Sequence, residues 1–222
     1  MSQVNIAKKY SNFLAPKNQI IINKEDMLEK YGEEASTIIV EEEIEVLSKF
    51  NFAINDPQLL QKSNKLFELN KNVVIKMGYA STLETMIEGE IESVKSFFPS
   101  NGPPHIEVYG QAKTSINPTR SSNNKALFDL TYGKTLLSFT STISAQNQDS
   151  KVASIARKSA FRATTNNLRC SGECVGVPEL KVREFIGLNG IGKNYDGIYY
   201  VEKVSHKLDV TGYTTEFEAR SP

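Results

Sequence analysis

The chain has 222 residues, enough for one large β domain or two small ones. Its 26 lysines and arginines balance its 26 aspartates and glutamates, and this zero formal charge disfavours a dedicated nucleic-acid binder, which usually carries a basic bias. No apolar run approaches the roughly 18–20 residues that span a bilayer, and the N-terminal stretch lacks the apolar core of a secretory signal, so we expect a protein that is made in the cytoplasm and does not insert into a membrane.

Strand patterns dominate the beginning of the chain. Three segments are β-branched or alternate between apolar and polar residues: 18–23, 35–47 and 50–56. In the last of them, Phe50, Phe52 and Ile54 should share one face of the strand. The next segment, 57–69, carries its apolar residues at helical spacing and predicts a short amphipathic helix.

A long hairpin is predicted in the middle of the chain. The strands of this region are 72–80, 84–99 and 105–112. The Ser-Asn-Gly-Pro-Pro sequence at 100–104 can only be a turn between the last two. Gly89, inside the second strand, predicts a bulge or a sharp bend. In the third strand, Ile106, Val108 and Gly110 should share one face.

The strand pattern fades from 113 to 130, where a polar stretch rich in Ser and Asn predicts a linker. This divides the chain into a first β-rich domain, a linker and a second β-rich domain, 1–115, 116–131 and 132–222, each of which fits a barrel or a sandwich. The segment 150–167 fits either a helix or a strand. Four other segments of the second domain have strand patterns: 134–146, 180–188, 197–208 and 213–220.

The last strand alternates strictly. One face carries Tyr213, Thr215, Phe217 and Ala219, and the other carries Thr214, Glu216, Glu218 and Arg220. We predict that the first face packs on a core, whereas the second meets solvent, a channel or a neighbouring chain. The three glycines of Gly-Leu-Asn-Gly-Ile-Gly at 187–192 lack the Gly-Lys-Ser/Thr of a phosphate loop, and they predict a hairpin turn.

Metal binding is disfavoured by the number of available ligands. Cys170 and Cys174 supply two thiolates, whereas a structural zinc ion needs four ligands, and His105 and His206 are distant in sequence. Two interpretations of the cysteines stay open: a hairpin disulfide across Ser-Gly-Glu in an oxidising setting, or two ordinary thiols. The cytoplasmic start of the chain favours the thiols.

Four glutamates lie within residues 40–45, and alternation along a strand would place Glu41, Glu43 and Glu45 on one face. A glycosidase needs two carboxylates that face each other across a cleft, with an aromatic-rich binding surface, and this chain has no tryptophan. We predict a solvated sheet face. A surface between subunits or along a channel is the alternative.

His206 lies close in sequence to Ser205 and Asp209, which are the residue types of a hydrolytic triad. Adjacent residues of a strand point to opposite faces, so Ser205 and His206 cannot cooperate. The Gly-x-Ser-x-Gly motif of a nucleophile elbow is absent from the sequence. We therefore predict no catalytic role for His206.

Three stretches, taken in order, resemble a known family. Residues 73–111 contain an apolar strand, Gly-Tyr at 78–79, Phe-Pro at 98–99 and a Gly-Pro-Pro turn. Residues 132–152 supply a strand like the one that enters the family's second barrel. Residues 176–220 add Gly-x-Pro, Gly-x-Gly, Gly-x-Tyr-Tyr-Val, a histidine and Tyr-x-Thr-x-Phe. Together they are similar to the phage late control gene D proteins, the baseplate hub proteins of contractile phage tails and contractile injection systems.

The resemblance implies a mainly β fold with two tail-tube-like β-barrels and one or two short helices. Three such subunits present six similar units in a ring, so the homotrimer adapts a sixfold tail tube to a threefold spike. The expected partners are a tail-tube protein, a separate spike protein and other baseplate proteins. The expected location is a phage tail or phage-tail-like particle assembled in the bacterial cytoplasm. The resemblance implies no catalytic residue, cofactor, metal site or nucleic-acid sequence recognition.

The sequence departs from the family pattern in two places. Family members carry a longer insert with helices between the barrels, and residues 113–131 are too few to hold it. The chain also lacks the oligonucleotide-binding-type barrel and the β-helix that fused spike proteins carry after the second barrel. The resemblance therefore implies that the spike is another polypeptide.

Two other functions also fit the residues. One is a β-barrel or β-sandwich module that binds a glycan or a peptide, which a ligand-dependent gain in stability would reveal. The other is a hydrolase that uses Glu41, Glu43 and Glu45, whose activity would be lost when they are replaced by glutamine. The sequence leaves open whether a hub of this kind serves a phage, a phage-tail-like bacteriocin or an injection machine.

Overall fold

The computed structural model describes residues 9–10, 13–32, 34–56, 66–114, 126–131, 138–145, 168–193 and 195–221. The complete elements in these ranges are one short helix, α1 (Met27–Tyr31), and thirteen strands. The strands are β1 (Pro16–Ile22), β2 (Glu25–Asp26), β3 (Ala35–Glu43), β4 (Lys49–Asn55), β5 (Asn72–Tyr79), β6 (Thr82–Phe97), β7 (His105–Ala112), β8 (Phe128–Thr131), β9 (Ser138–Ala145), β10 (Leu168–Val175), β11 (Phe185–Asn189), β12 (Gly197–Asp209) and β13 (Gly212–Arg220). The prediction of a mainly β chain is confirmed. Within these ranges, no helix has the length and apolar character needed to cross a bilayer.

All thirteen strands belong to one sheet. The strand order is β2-β1-β5-β6-β7-β4-β3-β12-β13-β10-β9, with β11 paired to β12 and β8 paired to β11. The pair β8–β11 is parallel, and the other pairs of described strands are antiparallel. Within the described residues the sheet is not closed. The two barrels and the domain boundaries at 115 and 131 therefore stay predictions.

The pairing of β3 with β12 joins strands from the two predicted domains. It runs antiparallel from Thr37, opposite Asp209, to Glu43, opposite Lys203. Backbone hydrogen bonds therefore continue without a break from the N-terminal half of the sheet into the C-terminal half. Residues 128–131, which the sequence places in the linker, form β8 and lie in the same sheet.

Two hydrophobic clusters lie against the two halves of the sheet. The first collects the inward side chains of β1 and β3–β7, among them Phe52. The second collects those of β8 and β10–β13, among them Phe217. Leu208 and Tyr213, at the closed end of the β12–β13 hairpin, belong to the first cluster. This hairpin consequently packs on both cores.

Alternation predicts the buried faces of three strands correctly. In β4, Phe50, Phe52 and Ile54 are buried. In β7, every second residue from Ile106 onward is buried, and β13 buries the face that begins with Tyr213. Each of these strands has one face on a core and one that is more accessible, which is the condition under which a period of two appears in a sequence.

Other predictions need correction or lie outside the described residues. The strand predicted at 180–188 begins only at Phe185, because residues 180–184 form turns and Arg183 has a φ of 71°. The strand predicted at 35–47 ends at Glu43. The helix predicted at 57–69 lies largely outside the described residues, and the segment 150–167 lies entirely outside them. Of the strand predicted at 134–146, the described residues form β9.

Helix α1 is an element that the sequence analysis does not predict. Asp26 caps its N-terminus by accepting a hydrogen bond from the Glu29 N–H, and Gly32 ends it with a left-handed φ of 70°. Five residues are too few to show a helical period. The capping residues Asp26 and Gly32 were therefore the sequence signal from which this helix could have been predicted.

Gly89 does not form the predicted bulge. The bulges of β6 are at Met86, opposite β5, and at Glu92, opposite β7, and Gly89 lies between them in regular pairing. The absence of a side chain at Gly89 makes room for the Phe50 ring, which also lies against Gly110 of β7. The two glycines thus allow one large aromatic ring to lie close to the backbone of both strands.

Replacing Gly110 by alanine is expected to lower the free energy of unfolding by about 1–3 kcal/mol, the usual cost of overpacking a core. The new methyl group would collide with the Glu90 carbonyl oxygen and with the Phe50 ring. Gly197→Ala is the matched control, because a methyl group at that position meets nothing within 4 Å. Urea unfolding followed by circular dichroism measures both variants, and equal stabilities would contradict this account of the packing.

Candidate functional site

His206 is fully buried on the core face of β12. Its Nε2 atom lies 2.9 Å from the Leu180 carbonyl oxygen, and its Nδ1 atom lies 3.0 Å from both the Tyr213 hydroxyl and the Thr215 hydroxyl. Because a carbonyl can only accept, a neutral ring donates its Nε2–H to Leu180 and accepts at Nδ1. The Val177 N–H also donates to the Thr215 hydroxyl, at 3.0 Å. The histidine therefore ties the segment between β10 and β11 to the β12–β13 hairpin.

Burial holds this histidine in its neutral form. Removal from water lowers the pKa of His206 to about 3, and the nearby positive charge of Lys181 acts in the same direction. At neutral pH the ring is uncharged and both of its nitrogens are hydrogen-bonded. The arrangement is that of a structural polar network inside a core.

The structure does not assemble a hydrolytic triad from the candidate residues. Ser205 lies on the opposite face of β12, where it lines a shallow groove with Glu41. Asp209 lies near the hairpin turn, 2.8 Å from the Lys207 amine and hydrogen-bonded to the Thr211 N–H. Ser205 and His206 point to opposite faces of β12, as the sequence analysis predicts.

An aromatic cluster joins the two halves of the sheet next to this network. Tyr79 of β5 stacks on Tyr213 of β13, with 5.6 Å between the ring centroids. Tyr10 and Phe13 pack on Tyr79 at 5.6 and 5.4 Å. The Tyr79 hydroxyl donates to the Gly176 carbonyl oxygen at 2.9 Å, and burial raises the pKa values of both Tyr79 and Tyr213. The cluster links β5, β13 and the segment after β10 through buried contacts.

The acidic segment at 40–45 is only partly as predicted. Glu41 and Glu43 are exposed on the outer face of β3, whereas β3 ends before Glu45, which follows it in a turn with a φ of 64°. Glu42 points inward and is buried. Burial raises its pKa, while Lys181 and a hydrogen bond with the Val182 backbone oppose that rise. The three predicted glutamates therefore do not share one strand face.

Acidic side chains continue across the outer face of the sheet. In register, Glu41 lies beside Ser205, Ser205 beside Glu216, and Glu216 beside Glu173. Glu216 and Glu173 repel each other as directly opposite carboxylates, and the exposed Lys207 amine attracts both. Within the described residues, no group of three or more His, Cys, Asp and Glu side chains has the arrangement of a metal site.

The cysteines lie in one continuous strand. Cys170 and Cys174 are buried on the same face of β10, and both are free thiols. Four residues of extended strand separate their Cα atoms by about 13 Å, and a disulfide requires less than about 7 Å. The hairpin disulfide is therefore wrong, since no turn lies between the two residues. Burial raises the pKa of each thiol to about 12.

Among the strand edges that lack a partner strand within the described residues are those of β1, β6 and β9. β1 pairs with β5 along its whole length but meets β2 only at Ile21 and Ile22, so its outer edge is open from Pro16 to Ile20. β6 extends beyond β5, and its residues 93–97 pair with β7 alone. β9 pairs only with β10. Open edges of this kind are templates for strand pairing with another chain.

Comparison with known proteins identifies the fold. No model of a known protein family matches the sequence, and no curated protein matches it. A tail protein from Neisseria meningitidis superposes with a TM-score of 0.60 at 8% identity, over 93% of this chain and 97% of that one. The 43 kDa tail protein of prophage MuSo2 from Shewanella oneidensis superposes with a TM-score of 0.62 at 11% identity, over 92% and 96%. An Escherichia coli type VI secretion component matches at a TM-score of 0.47, with 10% identity over 90% and 76%, too loosely to support a conclusion.

The chain has the fold of these two tail proteins. Both tail proteins are matched over nearly their whole length, so the likeness concerns the complete arrangement of strands and not one hairpin. At this level of identity the comparison establishes fold, and function has to be argued from the residues.

Sequence reasoning predicted no catalytic role for His206 and missed the hydrogen bonds that the residue makes in the core. The signal was available in the hairpin: with Asp209 and Gly212 closing the turn, the register places His206 opposite Thr215 on the buried face. A histidine and a threonine that face each other among apolar neighbours indicate a buried hydrogen bond. The third partner, Leu180, comes from a segment predicted as strand, and nothing in the sequence places its carbonyl there.

Proposed function

We propose that this chain is a structural hub subunit of a contractile phage tail or a related injection system, which joins the tail tube to the spike as a homotrimer. The observation that carries this proposal is the match to two tail proteins, one of them from a prophage, over more than nine-tenths of each chain. The resemblance of residues 73–111, 132–152 and 176–220 to baseplate hub proteins supports the same role.

The open sheet supports assembly with other copies. Its ends at β1–β2 and at β9 leave backbone groups that a neighbouring subunit can pair. Three copies, each with two hydrophobic clusters, would present six core units around one axis. A ring of this kind has no growing end, so it has a defined size.

A non-enzymatic role fits the chemistry of the candidate residues. His206 is held by three hydrogen-bond partners inside the core, and Ser205 is on the other face of its strand. Glu41 and Glu43 are exposed on the outer face of β3. In the proposed hub, the expected partners are a tail-tube protein and a separate spike protein, with assembly in the bacterial cytoplasm.

The decisive experiment measures mass and incorporation. Light scattering on the purified protein is expected to give three times the chain mass of 24.8 kDa. A tagged copy expressed with its own tail genes should be found in purified tails or baseplates, and deletion of the gene should yield particles in which tube and spike are not joined. A strictly monomeric protein that is absent from purified particles would overturn the proposal.

A further inference from the structure

We propose that the three copies are joined head to tail by a single type of contact: the β6–β7 tip of one copy, residues 97–104, fills an aromatic-floored socket between β1, β10 and β13 of the next. This inference rests on the proposed hub function and names the surface that would build its ring. Its occupant is a second copy of this chain.

The tip exposes aromatic surface on a stiff support. Phe98 is 68% exposed, and Phe97 stacks on His105 with 5.0 Å between the ring centroids. Three prolines, at 99, 103 and 104, restrict the backbone around the turn. An exposed aromatic side chain on a restricted backbone loses little conformational freedom on binding. Aromatic side chains of this kind are the usual anchors of protein interfaces.

The socket has the size and chemistry to receive such an anchor. It is an open depression of about 440 Å³ lined by Phe13, Pro16, Val175 and Thr214, with the buried rings of Tyr79 and Tyr213 at its base. A space of this size holds a small organic group, so one phenyl ring fits with its flanking backbone. Next to the socket, Phe13 and Ala15 adopt left-handed φ angles of 61° and 54°. Residues other than glycine rarely adopt left-handed φ angles unless the surrounding structure holds the backbone in that conformation.

The charges on the two surfaces are complementary. Lys95 is exposed next to the tip, with its amine 4.5 Å from the Tyr109 ring centroid. Glu173 lines the socket and lies directly opposite Glu216. Lys207 of the same chain attracts both carboxylates but also pairs with Asp209, so these groups keep a net negative charge. The Lys95 amine of the neighbouring copy would balance that charge. Complementary charges around an apolar anchor set the orientation of docking and suppress wrong partners.

The positions of tip and socket require a head-to-tail arrangement. Tyr79, behind the socket, pairs with Thr82 at the start of β6, whereas Phe97 ends the same strand. At about 3.3 Å per residue the two ends are roughly 50 Å apart, so one copy cannot fill its own socket. Contacts between two different patches build closed rings when the rotation closes, and filaments when it does not. A hub on a threefold spike needs the closed ring of three.

Two single variants and their mixture test the contact. Phe98→Ser damages the tip and keeps the socket, and Thr214→Arg blocks the socket and keeps the tip. Each variant alone is expected to be monomeric in analytical ultracentrifugation, with trimer association weakened at least 30-fold, as for loss of an interface anchor. When the two variants are mixed, the intact tip of Thr214→Arg can fill the intact socket of Phe98→Ser. The mixture should therefore form a complex of two chains that grows no further. Leu69→Ser, at a 59% exposed leucine outside both surfaces, should stay trimeric.

A charge exchange provides a second test that does not alter the apolar anchor. Lys95→Glu should weaken the trimer, and adding Glu173→Lys in the same chain should restore it. Circular dichroism checks that each variant is folded.

The results separate this inference from the hub function. If Phe98→Ser and Thr214→Arg are both trimeric, the contact lies elsewhere and the inference is wrong, although the hub still stands. If Phe98→Ser is trimeric but no longer enters particles, the tip binds another tail protein, and this result also overturns the inference. Filaments of the unaltered protein would contradict ring closure. A monomeric unaltered protein that is absent from particles would overturn both proposals.

Discussion

Replacing Tyr213 by alanine is expected to lower the free energy of unfolding by about 3–5 kcal/mol, the cost of deleting a large buried aromatic side chain. The ring is only 3% exposed and stacks on Tyr79. Its hydroxyl contacts His206, and its ring fills the space above Gly176, where even a methyl group would collide with it. The truncation would remove contacts from β5, from the segment after β10 and from the buried histidine at once.

Tyr213→Phe is the matched control for this prediction. It keeps the ring and removes only the hydroxyl, and the Thr215 hydroxyl remains 3.0 Å from His206 Nδ1. We expect a loss of about 1 kcal/mol, the usual net value of one hydrogen bond. Urea unfolding followed by circular dichroism compares the two variants, which suits a chain without tryptophan. A loss for Tyr213→Ala no larger than that for Tyr213→Phe would show that the stacking between the two halves contributes nothing.

The β13 strand shows what can be read directly from a sequence. One face of β13 lies on a core and the other does not, so every position from Tyr213 to Arg220 could be assigned to a face by alternation. The same reasoning correctly separated Ser205 from His206. In these places a local rule and the global fold agree, and no knowledge of distant partners was needed.

The strand partners could not be predicted in the same way. β1 pairs with β5, and β3 pairs with β12 from the other half of the chain, and neither pairing leaves a local signal in the sequence. The environment of Glu42 depends on Lys181, in a segment whose turns were read as strand. Burial of that carboxylate is a consequence of tertiary contacts that override the usual preference of glutamate for water.

The buried histidine also makes stability depend on pH. The pKa of His206 is about 3 in the folded protein and about 6.5 for an exposed histidine. Between these values the unfolded chain binds a proton that the folded chain does not, so the free energy of unfolding falls as the pH falls. One such group costs about 1.4 kcal/mol per pH unit, which amounts to about 2 kcal/mol on going from pH 7 to pH 5.

Comparison with His206→Gln isolates this effect. The variant should be less stable at pH 7 by about 1–3 kcal/mol, because it disturbs a buried network. Its disadvantage should shrink by about 2 kcal/mol at pH 5, since it has no imidazole to protonate on unfolding. Burial raises the pKa of Glu42, which acts in the opposite direction, but both proteins share that contribution and it cancels in the difference.

The control for the pH measurement is His105→Gln, which removes the other histidine of the chain and leaves His206 in place. This variant should keep the steep pH dependence of the unaltered protein. Urea unfolding at half-unit steps from pH 7.5 to pH 4.5 gives the three curves. Parallel curves for His206→Gln and the unaltered protein would mean that the ring takes up a proton without unfolding. Burial could then not be holding the ring in its neutral form.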